Sequence, residues 1–391
     1  MFNGSFCPIK QKDLSQIACQ YSIDLDGKQE TSKTLSTFFK SANPIILETK
    51  EECLIGEIIE LQVFDGHIYV LDIRAAKSLL VFDMTGRFIR KIGSLGQGPG
   101  EYTSISNFTL DTENRFIYLL DHFQRVHKYQ LDGTFVSTIT PKVQNANIIY
   151  IQYHSKRLYM NAIPYNPTLN DYMLLEADPD NGEVLSKSLS FKYNKGWTAL
   201  ILMDHSCFIP RLNGPPLYTQ LFMDNIVSIG EDVKPYIELK SKNLVTEKDI
   251  KNIRVSENAN AMVGEFRAFF QKYPKIFDVH SYVENDEFIL FMYQRGLMNR
   301  EAVIFHKKTE LVELGYEFGQ NLIYKDGENH FWGGFAFSDS NGAYEILHVE
   351  LMENFVEEIR NDKIVSDFDK LEQLKQLDDE SNPVILFYEF K

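Results

Sequence analysis

Four arginines, Arg74, Arg125, Arg211 and Arg295, recur near the start of segments that read as connections between a second and a third β-strand. Arginine presents a planar fork of donors suited to a carboxylate or a sulfate. In a chain of formal net charge −15, such a cluster reverses the sign of the local field, which is the condition for holding an anionic ligand against the repulsion of the rest. The alternative is that each arginine pairs with a carboxylate of the neighbouring structure, since an acidic chain supplies many partners. Tyr165, Tyr172 and Trp197 add aromatic surface on which a sugar ring can stack. Arg74, Arg125, Arg211, Arg295, Tyr165 and Trp197 are therefore the candidate ligand-binding residues.

Other chemistries find less support. The run Gly93-Ser-Leu-Gly-Gln-Gly-Pro-Gly100 is followed by Glu101-Tyr102 rather than Lys-Ser/Thr, and strands rather than a helix follow it, so it reads as a tight crossover and not a phosphate cradle. His122 and His127 stand alone, no H-E-x-x-H occurs, and Cys7, Cys19, Cys53 and Cys207 form no C-x-x-C pair. No metal site and no cofactor is expected. Asp72 and Asp121 recur at equivalent places and could ring a channel to hold a cation. A carboxylate at a strand end more commonly accepts the amides of the turn that follows. There is no G-x-S-x-G elbow, and no carboxylate pair for glycoside hydrolysis is singled out. The acidic balance excludes nucleic acid as a partner, and no segment reaches the roughly 18 apolar residues of a membrane helix.

The elements that must position these residues announce themselves as a repeat. Gly66-His-Ile-Tyr-Val-Leu-Asp72 matches Arg115-Phe-Ile-Tyr-Leu-Leu-Asp121, and Leu80 to Ile89 matches His127 to Val136, with Gly86 on Gly133. A degenerate copy runs from Arg157 to Gly182, and weaker copies lie at Phe288 to Phe305 and Phe331 to Leu351, the last read as strand through Glu345 to Leu351. Each unit holds four short strands bounded by Gly, Asn and Asp, the size and pattern of a propeller blade. Two stretches break the pattern with helix signals: about 241–274, opened by a Thr246-x-x-Asp249 cap, and about 366–379, opened by Ser366-x-x-Asp369. The rest has the length of about six blades of this size. The expected fold is thus all-β, a six-bladed β-propeller of four-stranded antiparallel blades over residues 35–391, after an N-terminal extension at 1–34. Pairing of Pro383 to Phe390 with material near Pro44 to Glu48 would close the ring, because open sheet edges are an aggregation hazard. Long, non-repetitive connections at one end of the blades, Arg211 to Pro216 among them, are where binding residues are expected.

Phe88-Ile-Arg-Lys-Ile-Gly-Ser-Leu-Gly-Gln-Gly-Pro-Gly-Glu-Tyr102, Pro235-Tyr-Ile-Glu-Leu-Lys240 with Asn243-Leu244, and the C-terminal Asn382 to Lys391 resemble the six-bladed propeller family related to NHL-repeat propellers, many of them bacterial lipoproteins. The resemblance implies a periplasmic or surface-anchored protein, although Met1 to Pro8 shows no basic stretch followed by an apolar one and Gly4-Ser-Phe-Cys7 is a poor lipobox. The expected function is non-catalytic binding of a saccharide, an acidic ligand or a protein on the loop-rich face. The second reading, by the same resemblance, is a lyase or lactone hydrolase with a metal at the central channel.

Overall fold

Short strands with buried, alternating faces and Gly or Asx turns between them pair as consecutive hairpins, and this chain repeats that unit along its length. The computed structural model describes residues 14, 17–27, 33–165, 171–199, 205–211, 214–253, 259–315, 318–327, 330, 333–365 and 368–391. Strands β1 (Tyr21–Asp24) and β2 (Phe39–Ile46) come first. Blade one is β3 (Ile58–Phe64), β4 (His67–Asp72), β5 (Ser78–Asp83) and β6 (Phe88–Ile92). The short pair β7 (Ser94–Leu95) and β8 (Glu101–Tyr102) precedes blade two, β9 (Ile105–Asp111), β10 (Phe116–Asp121), β11 (Val126–Gln130) and β12 (Phe135–Ile139). Blade three is β13 (Ala146–His154), β14 (Arg157–Pro164), β15 (Tyr172–Ala177) and β16 (Val184–Ser190). Blade four is β17 (Phe208–Ile209), β18 (Leu217–Tyr218), β19 (Asn225–Ser228) and β20 (Lys234–Lys240), followed by helices α1 (Glu247–Asn252) and α2 (Ala259–Lys272). Blade five is β21 (Ile276–Glu284), β22 (Phe288–Arg295), β23 (Asn299–His306) and β24 (Leu311–Gly315). Blade six joins β25 (Phe337–Ser338), β26 (Gly342–Leu347) and β27 (Val384–Phe390) to β2, with α3 (Val349–Arg360) and α4 (Leu371–Leu374) inserted before β27. These six antiparallel four-stranded sheets form a six-bladed β-propeller.

Two compact units divide the chain: residues 1–26, 93–279 and 294–299 in the first, and 27–92, 280–293 and 300–391 in the second. In the first unit, neighbouring inner strands are stitched by side chains rather than by a ladder. Asn107 Oδ1 accepts the Ile151 amide at 2.7 Å, and Thr109 Oγ1 accepts the Tyr153 amide at 3.0 Å. Each bond satisfies an inner-edge amide that would otherwise be buried without a partner. Between these blades Tyr118 stacks on Tyr153 with centroids 5.2 Å apart, over a core that includes Leu120, Ile151, Leu158 and Met160. The first unit also holds α2, whose Phe266, Phe269 and Phe270 pack on Phe222, Phe277 and Trp197. A capping box between Thr246 and Asp249 starts α1, as the sequence indicated; Ser366 of the other expected cap lies outside the described residues.

In the second unit β2 pairs antiparallel with β27, Pro44 opposite Leu386 and Ile46 opposite Val384. The chain's early and late strands thus share one sheet. Asn382 fixes the entry to β27: its amide oxygen accepts the Ile55 amide, and its nitrogen donates to the Glu48 and Cys53 carbonyls.

Two local readings are corrected, and one strand lies within the expected N-terminal extension. Glu345 to Leu351 is not one strand, because β26 ends at Leu347 and α3 begins at Val349, burying Met352, Phe355, Val356 and Ile359 at helical spacing. Tyr21–Asp24 is ordered as β1, pairing parallel with the outer strand β20, Ile23 opposite Leu239. Blade four contains two strands of only two residues, and this moves Arg211, as described next.

Candidate functional site

The second-to-third strand connection is the position at which the candidate residues recur, and a carboxylate shapes it. Asp72 ends β4 fully buried and accepts six backbone amides. Those of Gly56, Glu57 and Arg74 reach Oδ1 at 3.1, 2.9 and 3.1 Å. Those of Ala75, Ala76 and Lys77 reach Oδ2 at 2.9, 2.5 and 3.2 Å. Asp121 does the same in blade two, accepting the Phe123 and Arg125 amides at 2.9 Å each. Its Oδ2 meets the Arg125 guanidinium at 2.6 Å and His127 Nε2 at 3.2 Å. Burial alone would raise the Asp121 pKa, but the hydrogen bonds from His127 and Arg125 outweigh it and hold the carboxyl below its ordinary value. These aspartates do the turn-satisfying work that the sequence suggested. Among the described residues no three His, Cys, Asp or Glu side chains assemble as a metal-ligand set.

The arginines do not behave alike. Arg74 is bonded through Nε to Glu57 at 2.7 Å, within its own blade. Arg125 is held by Asp121 and lies 5.7 Å from the centre of the Phe123 ring. Arg295 ends β22 in the second-to-third connection of blade five, where the Gly296 amide donates to the Lys275 carbonyl at 2.9 Å. The Asp26 carboxyl is held below its ordinary value chiefly by the Lys242 amide, with the charge of Arg295 contributing. Arg211 corrects the expectation of its position: it follows β17 and precedes β18, so it lies in a first-to-second connection, at the opposite end of its blade. There its guanidinium sits 4.8 Å over the Tyr236 ring. The dipeptide strands of this blade, too short to carry an alternating pattern, caused the misplacement.

The aromatic candidates separate as well. Trp197 is only 4% exposed, its ring packed against Phe222 and Phe266. Tyr172, the first residue of β15, is half-buried. Tyr165, directly after β14, is 70% exposed, its amide bonded to the Asn145 carbonyl.

Tyr165 belongs to a series that the sequence did not reveal. Phe123 in the blade-two connection is 66% exposed, Met298 in the blade-five connection 89%, and in the second unit Ile73 of blade one 37%. The corresponding loop of blade four, Thr219 to Asp224, instead turns Leu221, Phe222 and Met223 inward. The available signal was one large apolar residue beside the strand-ending Asp or beside the Arg.

The glycine-rich run is occupied by its own chain. Ser94 and Leu95 pair in parallel with Glu101 and Tyr102, the Gly98 amide donates to the Glu101 carboxylate at 2.8 Å, and Gly93 and Gly100 take the positive φ angles that the turn needs. The Gly96 amide is likewise taken by its own chain, donating to the Tyr102 carbonyl at 3.0 Å.

This is the architecture of a propeller that presents side chains on blade connections. The chain belongs to the DUF4934 family, a domain of unknown function, which matches residues 20–389. Its fold is similar to that of a Bacteroides fragilis protein described as exported, with a TM-score of 0.71 and 16% identity, over 95% of this chain and 99% of that one. A member of the DUF4221 family from Bacteroides vulgatus aligns over 90% of this chain and 98% of its own, with 10% identity and a TM-score of 0.44. No curated protein sequence matches the chain. Among the described residues no helix is long and apolar enough to cross a membrane.

Proposed function

We propose that this chain is a non-catalytic binding propeller that takes a protein partner on its second-to-third strand connections. The observation that carries the reading is the exposure of Phe123, Tyr165 and Met298 at the same connection of three blades of the first unit. Large apolar side chains are rarely left exposed in one repeated position without a use. Aromatic residues, Met and Arg are the types enriched where proteins meet proteins, and Arg125 and Arg295 stand in two of these connections. A saccharide platform is favoured less, because the indole expected to form it is covered. The likeness to an exported protein supports a place at the cell envelope.

The test is site-directed photo-crosslinking from positions 123, 165 and 298, with the outer-strand positions Val136 and Leu311 as exposed controls. One protein should be captured from all three connection positions and from neither control. The triple variant F123S/Y165S/M298S should lose that partner by at least tenfold in affinity while melting within about 1 °C of the parent, since exposed positions contribute little to stability. Equal capture at the controls, or unchanged affinity of the triple variant, would overturn the assignment.

A further inference from the structure

One carboxylate of blade six has no Lys or Arg set against it among the described residues. Glu345 lies on β26, half-buried, and one of its oxygens accepts the Tyr388 hydroxyl at 2.6 Å and the Gln320 side-chain nitrogen at 3.1 Å. Among the described residues the other oxygen accepts only the Gly333 amide, at 3.3 Å. Among the described residues no Lys or Arg pairs with it; Tyr388 and Tyr324 lie near it, and His330, stacked on Tyr324, is engaged by Glu358 at 2.9 Å and Asp326 at 3.1 Å.

Gln320 is 3% exposed, and its nitrogen donates both to Glu345 and to the Tyr388 oxygen at 2.5 Å. That pattern orients the amide, because an amide oxygen facing a carboxylate oxygen would be repelled. The remaining atom, Gln320 Oε1, is buried and has no hydrogen-bond partner among the described residues. One acceptor of the cluster, Gln320 Oε1, therefore lacks a donor, and the carboxylate beside it lacks a Lys or Arg counter-charge among the described residues; burial pushes the Glu345 carboxyl up to about 7. Groups left in that state are unfavourable unless something supplies protons to share and positive charge.

We propose that Glu345 and Gln320, against the Tyr388 ring, form a binding site for an organic ammonium group entering beside Gly333. An ammonium has three donors and one charge, which serves both acceptors, and aromatic rings attract it further. Tyr388 is itself walled by Phe39 and Phe335, with centroids 5.7 and 5.3 Å away. A single carboxylate beside an amide oxygen is too few ligands for a calcium or magnesium ion. Gly333 is an exposed residue beside the site, where among the described residues an added Cβ would meet only the Glu345 oxygen, at 3.5 Å.

The experiment is calorimetric titration of the full chain with n-butylammonium chloride at pH 7, at constant ionic strength. Saturable binding is expected, weakened at least tenfold in E345Q, which keeps the shape and removes the charge, and in G333V, which narrows the entry and keeps the carboxylate. Binding should release protons as Glu345 ionises, seen as a heat that varies with the ionisation enthalpy of the buffer and does not vary in E345Q. If E345Q fails to fold, G333V and the proton release still decide. Absence of saturable heat, equal affinity for tetramethylammonium, which has no proton to donate, or affinity unchanged in a folded variant would overturn the proposal. The partner-binding variants F123S, Y165S and M298S should leave this titration unchanged, so that the two readings fail separately.

Discussion

Replacing Asp72 by Ala removes the acceptor of six amides at once, and the resulting loss can be worked from their surroundings. The bonds do not add, because Gly56, Arg74, Ala75 and Lys77 are exposed residues whose amides regain water when the carboxylate is gone. The Glu57 and Ala76 residues are half-buried, and their amides bond at 2.9 and 2.5 Å. Two bonds to a charged acceptor at about 1.5–3 kcal/mol each give a loss of about 3–6 kcal/mol. Unfolding entropy of about 2.1 cal/mol/K per residue, over 391 residues, makes this a fall in Tm of about 4–7 °C. D72N should fare no better, since an NH2 group would replace one oxygen and face three N–H donors. Arg74→Ala is the internal control: its bond to Glu57 joins two exposed side chains, so Tm should move by less than about 1 °C. Differential scanning calorimetry of the three variants measures this directly. A D72A protein melting within 1 °C of the parent, or R74A falling as far as D72A, would refute the idea that the carboxylate–amide cluster holds the connection.

Two further outcomes follow from blade six. Deleting residues 382–391 removes β27, which pairs with both β2 and β26, and with it the Asn382 bonds to Ile55, Glu48 and Cys53; the product should be insoluble on expression, and a soluble chain with the parental Tm would contradict closure by β2. Glu345 sets a pH dependence: its folded pKa of about 7 exceeds the ordinary 4.5, so its neutral form favours the fold below pH 4.5 and that contribution is lost as pH rises through 7. For a half-buried group this is about 2 kcal/mol, and urea unfolding should show E345Q gaining that much on the parent between pH 5 and pH 8, an equal offset at both pH values being the contrary result.

How far the fold was legible follows from where the repeat kept its spacing. The Asp72 and Asp121 strands, the Gly86 and Gly133 turns and the strand pairing of Pro44 with Leu386 are legible because a strand needs alternation and its turn needs a glycine or Asx residue, both local demands. Blade four is not legible, because Phe208–Ile209 and Leu217–Tyr218 are held by neighbours rather than by their own pattern, and two residues have no period. The consequence reached the site directly: Arg211, assigned from a strand count, belongs to the other end of its blade. In α3 the signal existed in Met352, Phe355, Val356 and Ile359, yet the apolar alternation of Glu345 to Leu351 ran over the true boundary.

The residues on which the proposals rest were hidden for a different reason. Arginines are conspicuous in an acidic sequence, but charge attracts carboxylates from its own chain first, and Glu57 and Asp121 claim Arg74 and Arg125. Exposed apolar residues are inconspicuous, because a Phe or Met in sequence reads as core until its burial is known. The same holds for Glu345: one acidic residue among 55 Asp and Glu carries no signal by itself. What distinguishes it is the counter-charge it lacks and the buried Gln320 oxygen beside it, a relation between strands and crossovers that only the folded chain creates.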